Sequence, residues 1–258
     1  MNITDFSMDF FSLKGKNAIV TGGNTGLGQA FSLALAKAGA NIFMPSIMPD
    51  DPEFNSLLEA EGVKAVYMEA DLTKPGIPKK IVEKCVETLG SVDILVNCAG
   101  ICICKPVLEF DREAWDPMIA INLTAAYEMT YEAAKFMIPQ RSGKIINICS
   151  LFSFLGGQWS PAYAASKHGL AGLTKAYCDE LAQYNIQVNG IAPGYFKTKV
   201  AEASMKDPER SKWIVDHTPT GRWGDVADLM GAVVFLASRA SQFVNGHILT
   251  VDGGFLTR

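Results

Sequence analysis

Tyr163 and Lys167 stand four residues apart in a stretch with helical patterning, residues 162–183. That spacing puts both side chains on one helix face. A phenol near pKa 10 is a poor base at neutral pH. An ammonium beside it favours the phenolate and lowers that value. A phenol tuned in this way can take the proton of an alcohol while the carbinol carbon gives up a hydride, and can return it in the reverse reaction. Ser150 directly follows an apolar run, residues 144–149, that reads as a strand. A hydroxyl there can hydrogen-bond the reacting oxygen and hold it against Tyr163. Tyr163, Lys167 and Ser150 thus cover proton and oxygen. The hydride needs a cofactor.

The elements that would position these groups alternate along the chain. Strand-like runs fall at residues 17–21, 41–44, 65–69, 94–97, 144–149, 187–191 and 247–251, with helical stretches such as 27–38, 78–89, 115–137 and 162–183 between them. Strands alternating with helices imply an α/β fold, a doubly wound parallel sheet of about seven strands with helices on both faces. Ile145-Ile146-Asn147-Ile148 is apolar along most of its length, as burial of both faces requires. No Pro/Gly/Ser-rich linker divides the chain, so residues 1–258 read as one dinucleotide-binding domain of the Rossmann type. In such sheets ligands bind beyond the carboxyl ends of the strands. The first strand ends in Thr21-Gly22-Gly23-Asn24-Thr25-Gly26-Leu27-Gly28. Glycines there allow a tight turn and close backbone approach, and the helix start offers free N–H groups to a pyrophosphate.

Glycines at 22, 26 and 28, rather than in the common G-x-G-x-x-G spacing, resemble the short-chain dehydrogenase/reductase family, and the likeness continues nearly end to end. Asp71-Leu72 resembles the segment with which that family contacts adenine. Asn97-Cys98-Ala99-Gly100 is similar to its N-N-A-G segment, with Cys98 in place of the second Asn. Asn122, Ser150, Tyr163 and Lys167 match its catalytic tetrad in order and spacing. Pro193, Gly194 and Thr198 match its P-G-x-x-x-T segment, with Phe196 inside it. Val251-Asp252-Gly253-Gly254 resembles its C-terminal segment. The resemblance implies that Asn122 opens its helix locally and holds a water linking Lys167 to solvent. It implies cofactor contacts from Gly22, Asn24, Thr25, Gly26, Leu27, Gly28, Ser46, Asp71, Leu72, Asn97, Ala99, Gly100, Tyr163, Lys167, Pro193, Gly194, Phe196 and Thr198.

An NAD enzyme usually carries an acid after its second strand, and an NADP enzyme a base there or in the glycine turn. Here Ser46 takes that place and Asn24-Thr25 lie in the turn, so no base is local and NAD is expected over NADP. Substrate contacts are expected from Ser150, Gln158, Tyr163 and Tyr195, with residues of about 195–220 as a charged, proline-bounded lid. Thr-Gly-Leu-Gly-Gln, Ala-Pro-Gly-Tyr, Gly-Arg-Trp-Gly and Asp-Leu-Met-Gly resemble the sugar-acid branch of the family, which includes 2-dehydro-3-deoxy-D-gluconate 5-dehydrogenase and gluconate dehydrogenases. A sugar acid needs a cation for its carboxylate. That branch tends to place arginines after the Asn-Ala-Gly segment, whereas Ile101-Cys102-Ile103-Cys104-Lys105 offers only Lys105. A neutral polyol or ketose, or a more apolar ketone, is therefore an alternative to the sugar acid. Two other readings compete: an NADPH-dependent carbonyl or 3-oxoacyl reductase, and a non-catalytic dinucleotide-sensing protein, which could dispense with the tetrad.

Composition narrows the partners. With 23 basic and 27 acidic residues the net charge is −4, the opposite of the basic surface that nucleic-acid binding calls for. Apolar residues make up 48% and charged ones 19%, which suits a packed core rather than a disordered chain. No apolar run is long enough to cross a membrane, and residues 1–12 lack the basic start of a secretion signal. A reducing, cytoplasmic location is expected for the six cysteines. Cys98, Cys102 and Cys104 lie close in sequence, but no second Cys pair or nearby His completes a tetrahedral set, so no metal is expected. The family resemblance implies a homotetramer packed through the long helices and the C-terminal segment.

Overall fold

The computed structural model describes residues 3–258. Seven strands form a single parallel sheet: β1 (Asn17–Val20), β2 (Asn41–Ser46), β3 (Ala65–Glu69), β4 (Ile94–Asn97), β5 (Gly143–Ile148), β6 (Ile186–Pro193) and β7 (Ile248–Val251). Their order is β3-β2-β1-β4-β5-β6-β7. The helices are α1 (Gly26–Lys37), α2 (Pro52–Glu59), α3 (Ile77–Leu89), α4 (Arg112–Ile119), α5 (Ala125–Gln140), α6 (Pro161–Leu181), α7 (Glu202–Lys206), α8 (Pro208–His217) and α9 (Met230–Ala237). This is the doubly wound α/β architecture expected from the alternation of strand and helix patterns.

Alternating strand residues feed two apolar layers. Ala18 and Val20 of β1, Ile94 and Val96 of β4, and Ile146 and Ile148 of β5 pack on one face with Phe31, Leu35, Val233 and Leu236 of α1 and α9. Ile19, Leu95 and Ile145 point the other way, against Ile81, Val82, Met129, Ala133 and Met137 of α3 and α5. Because side chains alternate with period two, a strand buried on both faces must be apolar throughout, which is why these runs are legible. Each fully buried Leu, Ile or Phe stabilises the fold by about 1.5–3 kcal/mol.

Two expectations need adjustment. The run 115–137 is not one helix. A π turn at Ala120–Thr124 separates α4 from α5, with Asn122 at its centre, the local opening that the family resemblance implied and the periodicity did not. β2 also runs through Pro45 to Ser46 instead of stopping at Met44. Proline has no N–H to give a ladder, but the Pro45 carbonyl accepts from Gly22 N (2.8 Å) and the Ser46 carbonyl from Ala70 N (2.9 Å), which keeps the strand paired. Residues 201–219, expected as a helical lid, form the short helices α7 and α8 over the carboxyl side of β6. Among the described residues no helix is long and apolar enough to cross a membrane.

Candidate active site

The chain builds β1, β2 and β3 outward in one direction and then crosses back to place β4 on the other side of β1. A crevice opens at this reversal, beyond the carboxyl ends of β1 and β4. Thr21 bridges it: its hydroxyl oxygen accepts from Cys98 N at 2.9 Å and from Ala99 N at 3.0 Å. The glycine turn enters here. Gly22 and Gly26 have φ of +65° and +53°, a region that side-chain-bearing residues avoid. Gly28 lies so close to Gly22 that an added Cβ would sit 2.2 Å from the Gly22 carbonyl oxygen. The turn therefore folds tightly against its own helix, and Leu27 packs onto the core beside it. Thr25 caps α1 without a side-chain hydrogen bond, so the first N–H groups are left for an anion. These features fit the pyrophosphate of a nicotinamide dinucleotide.

Around that turn the expected adenosine side is partly internal. Asn24 donates to the Pro49 carbonyl at 2.7 Å, and its Oδ1 is buried without a partner. Ser46 is buried, and its hydroxyl accepts from Met48 N at 3.1 Å. Asp71 accepts from the Thr73 hydroxyl at 2.6 Å and the Thr73 N–H at 3.0 Å, which hold its carboxyl below the usual range. Leu72 is buried next to it. The Asn97 amide is turned inward, donating to Asn147 Oδ1 at 2.8 Å and Thr130 Oγ1 at 3.1 Å. Asn147 in turn donates to Thr174 Oγ1 at 2.9 Å. This buried chain of amides and hydroxyls locks β4 and β5 to α6, the helix that carries Tyr163 and Lys167.

Tyr163 and Lys167 share one face of α6, with Lys167 reaching the end of β5 beside Ser150. Ser150 lies two residues beyond β5, where its hydroxyl accepts from Phe152 N at 3.2 Å and lies near enough to the Tyr163 phenol to favour its charged form. Lys167 Nζ is 5.5 Å from the Tyr163 ring centroid and donates to the Ile148 carbonyl at 2.7 Å. Asn122 does not touch Lys167. Its amide clasps residue 101 in both directions, accepting from Ile101 N and donating to Ile101 O, each at 2.9 Å, and it donates to Ser166 Oγ at 3.2 Å. These bonds explain the π turn, because the side chain stitches the opened helix to the segment after β4. Gly100 passes beside this group; a Cβ there would meet Asn122 Oδ1 at 2.9 Å and Lys167 Nζ at 3.9 Å.

Electrostatically, the free protein departs from the simple expectation for Tyr163. Burial raises its phenol above the ordinary range, and the nearby Ser150 hydroxyl only partly opposes this. Burial also lowers the Lys167 ammonium. The low dielectric that penalises both charges also strengthens any attraction between them once a charged reaction partner is present.

The remaining expected residues frame the cleft. Pro193 ends β6, and Gly194 packs so tightly on Asp252 that a Cβ would lie 2.7 Å from its Cα. Phe196 is buried against Gly224, while Thr198 starts a short 3-10 turn. Tyr195 stacks edge-on against Trp223 and Phe255, at 5.8 and 5.2 Å. Gln158 is exposed in the loop before α6. Its neighbour Trp159 has φ of +64°, a strained conformation for an aromatic residue.

Three further residues belong to this site. Ser153 and Ser166 brace it through hydrogen bonds, and the S-x-x-S spacing of Ser150 and Ser153 is a capping-box signal that could have revealed the first. Arg210 of α8 reaches Tyr195 Oη at 3.5 Å and lies over the Trp213 ring at 4.7 Å. No local pattern marks it, because it arrives from α8, distant in sequence from the strand ends.

Fold and site together define a dinucleotide-dependent oxidoreductase, and residues 16–209 match the family model described as short chain dehydrogenase; the chain belongs to that family. It is 65% identical over 257 residues to an uncharacterized oxidoreductase, YgcW, of Escherichia coli K12, covering all of this chain and 98% of that one. It is 46% identical over 250 residues to 2-dehydro-3-deoxy-D-gluconate 5-dehydrogenase of Bacillus subtilis, covering 97% and 98%. A gluconate 5-dehydrogenase of Burkholderia cenocepacia, solved in complex with NADP and tartrate, superimposes with a TM-score of 0.91 at 38% identity, covering 97% and 98%.

Proposed function

We propose that this protein interconverts an alcohol and a carbonyl on a gluconate-like sugar acid, with Tyr163 as the acid/base. The observation that carries this reading is the buried Tyr163 phenol with the Lys167 ammonium 5.5 Å from its ring, that ammonium being held on the Ile148 carbonyl at 2.7 Å. A bound nicotinamide supplies or accepts the hydride. Ser150 holds the substrate oxygen by a hydrogen bond, aligned with the phenol. Tyr163 takes the hydroxyl proton in oxidation and returns it in reduction. Lys167, anchored on the Ile148 carbonyl, offsets negative charge on the phenol. Asn122 holds residue 101 and, through Ser166, the start of α6 in register.

The carboxylate of the substrate falls to Arg210. A planar guanidinium on a lid helix, stacked on Trp213 and within reach of Tyr195, offers the bidentate donor set a carboxylate takes. It replaces the arginines missing after Gly100 and favours the sugar acid over a neutral polyol. The dehydrogenases of 2-dehydro-3-deoxy-D-gluconate and gluconate among the relatives support the same substrate class.

For the cofactor, the residues of this chain favour NAD. Neither the glycine turn nor Ser46-Ile47-Met48 carries a base for a 2′-phosphate. The NADP in the Burkholderia structure supports the alternative, so the two cofactors are compared directly. The proposed assembly is a homotetramer in the cytoplasm. Tyr127 and Tyr131 are exposed on α5, and a groove of Leu123, Thr124, Tyr127, Gly169 and Leu173 runs between α5 and α6. Light scattering of the purified protein measures that state.

The test is a panel of sugar acids, polyols and ketoses with NAD and NADP, followed by nicotinamide absorbance. A sugar acid should be turned over, Tyr163→Phe should lower kcat by at least about 100-fold, the span of general acid–base catalysis, and dinucleotide binding should survive. Arg210→Ala should raise KM for the sugar acid far more than for a neutral polyol. Near-normal turnover by Tyr163→Phe, or activity on neutral substrates alone, would sink the reading.

A further inference from the structure

Cys102 and Cys104 follow β4 in the segment that crosses the mouth of the cleft. Their sulfurs are 3.8 Å apart, and both are free thiols. Cys104 is exposed, while Cys102 is half-buried, with its sulfur 3.7 Å from Ser160 Oγ. We propose that Cys102 and Cys104 form a peroxide-reactive dithiol that closes to a disulfide beside the substrate cleft, an oxidation site separate from the dehydrogenase chemistry.

Position and charge assign the roles. Cys104 is the sulfur open to solvent. The hydrogen bond from Cys102 and the positive charge of Arg210 favour its thiolate. The same hydrogen bond, together with burial, keeps the proton on Cys102. The exposed sulfur is therefore the nucleophile, and the sheltered one resolves. In the first step the Cys104 thiolate attacks the O–O bond of a hydroperoxide. An S–O bond forms, the O–O bond breaks, and the departing oxygen leaves as alcohol or water after taking a proton. In the second step Cys102 attacks the sulfenic sulfur. The S–S bond forms, the S–O bond breaks and water leaves. Two thiols lose two hydrogens and two electrons, and one peroxide is reduced to an alcohol, or water, plus water.

The consequence for the site follows from what holds this segment. Ile103 O accepts from Ser160 Oγ at 2.7 Å, and Lys105 N donates to Trp159 O at 2.8 Å. Ile103 N lies 3.3 Å from Met118 Sδ. Bringing two sulfurs from 3.8 Å to a covalent bond of about 2 Å draws this segment against residues 159–160, immediately before the helix that bears Tyr163.

The test uses the reduced full chain, freed of added thiol and treated with equimolar hydrogen peroxide at neutral pH. Mass spectrometry should read a loss of two hydrogens, peptide mapping should place the bond between Cys102 and Cys104, and dithiothreitol should reverse it. Cys104→Ser should abolish the loss. Cys102→Ser should instead stop at a sulfenic acid on Cys104 that dimedone traps. Circular dichroism checks that both variants are folded. A loss that persists in Cys104→Ser, a bond through another cysteine, or no oxidation of this pair overturns the proposal. Since the readout is mass rather than turnover, it stands apart from the substrate assignment.

Discussion

Ser153 links the two elements that bear the proposed acid/base group: its hydroxyl donates to the main-chain carbonyl of Lys167 at 2.8 Å and accepts from the N–H of Ser150 at 3.3 Å. One buried side chain thereby fixes the loop after β5 against α6. It touches no reacting atom and acts by positioning.

Ser153→Ala should therefore lower kcat by roughly 5- to 30-fold, the equivalent of about 1–2 kcal/mol for one lost buried hydrogen-bond pair. KM for the dinucleotide and the pH profile should stay as they are. Ser153→Thr, which keeps the hydroxyl, should recover most of the loss. A purely structural role would instead lower Tm without changing kcat at a temperature where the variant is folded.

The pH dependence has a definite sign. Burial holds the proton on Tyr163 above the usual phenol range in the free protein. Oxidation needs the deprotonated phenol, so its kcat/KM should climb as pH rises above neutrality. Reduction needs the protonated phenol and should stay level over the same span, falling only at the alkaline end. Initial rates in both directions across pH measure this. An oxidation rate that declines from neutral to mildly alkaline pH would contradict the assignment.

Gly28→Ala should disable the glycine turn. The added carbon would lie 2.2 Å from Gly22 O and 2.8 Å from Gly22 C, both backbone atoms that cannot step aside alone. Overpacking of this kind costs about 1–3 kcal/mol, and because the displaced backbone is the anion-binding turn, dinucleotide affinity should fall with it. Gly26→Ala meets no neighbour within 4 Å and carries only the cost of its φ of +53°, roughly 1–2 kcal/mol. Calorimetry and titration with dinucleotide distinguish the two.

Lys144 offers a stability test away from the site. It is buried in β5, donates weakly to Ser241 Oγ at 3.4 Å, and burial lowers its ammonium to about 8. Between that value and the unfolded one near 10.4, the unfolded chain keeps a proton that the native protein has released, so native stability rises with pH through this window. Below it the full desolvation cost remains. Lys144→Met should raise stability at neutral pH by roughly 1–2 kcal/mol, with the gain shrinking above pH 8. Ser241 keeps the Leu236 and Ser238 carbonyls as partners, so no group is orphaned.

The sheet was legible because its central strands are apolar on both faces, and Tyr163, Lys167 and Ser150 were legible because their relation is local to one helix and one strand end. What escaped depends on contacts across the fold. The apolar pattern of residues 115–137 continues through Asn122, so periodicity alone reads one helix; its break is set by bonds to Ile101, 21 residues away. Pro45 reads as a strand stop, yet its carbonyl is held by Gly22. Arg210 shows no signal at all in sequence, because the cleft reaches it only when α8 folds back over Tyr195. The expected lowering of the Tyr163 pKa weighed the ammonium without the burial that accompanies it.

The π turn at Ala120–Thr124 carries an implication for how this chain tolerates insertions and deletions. Each α-helical residue advances about 100° around the axis. A π turn wraps one more residue into nearly the same rotation, so removing one residue from it would restore a regular helix with Met129, Ala133 and Met137 still on the layer they fill, while the widened turn that carries Asn122 to Ile101 would be lost. The irregular spacing is thus a local bulge: it offers Asn122 to Ile101 at the start of the turn and leaves the apolar stripe of α5 undisturbed on the sheet.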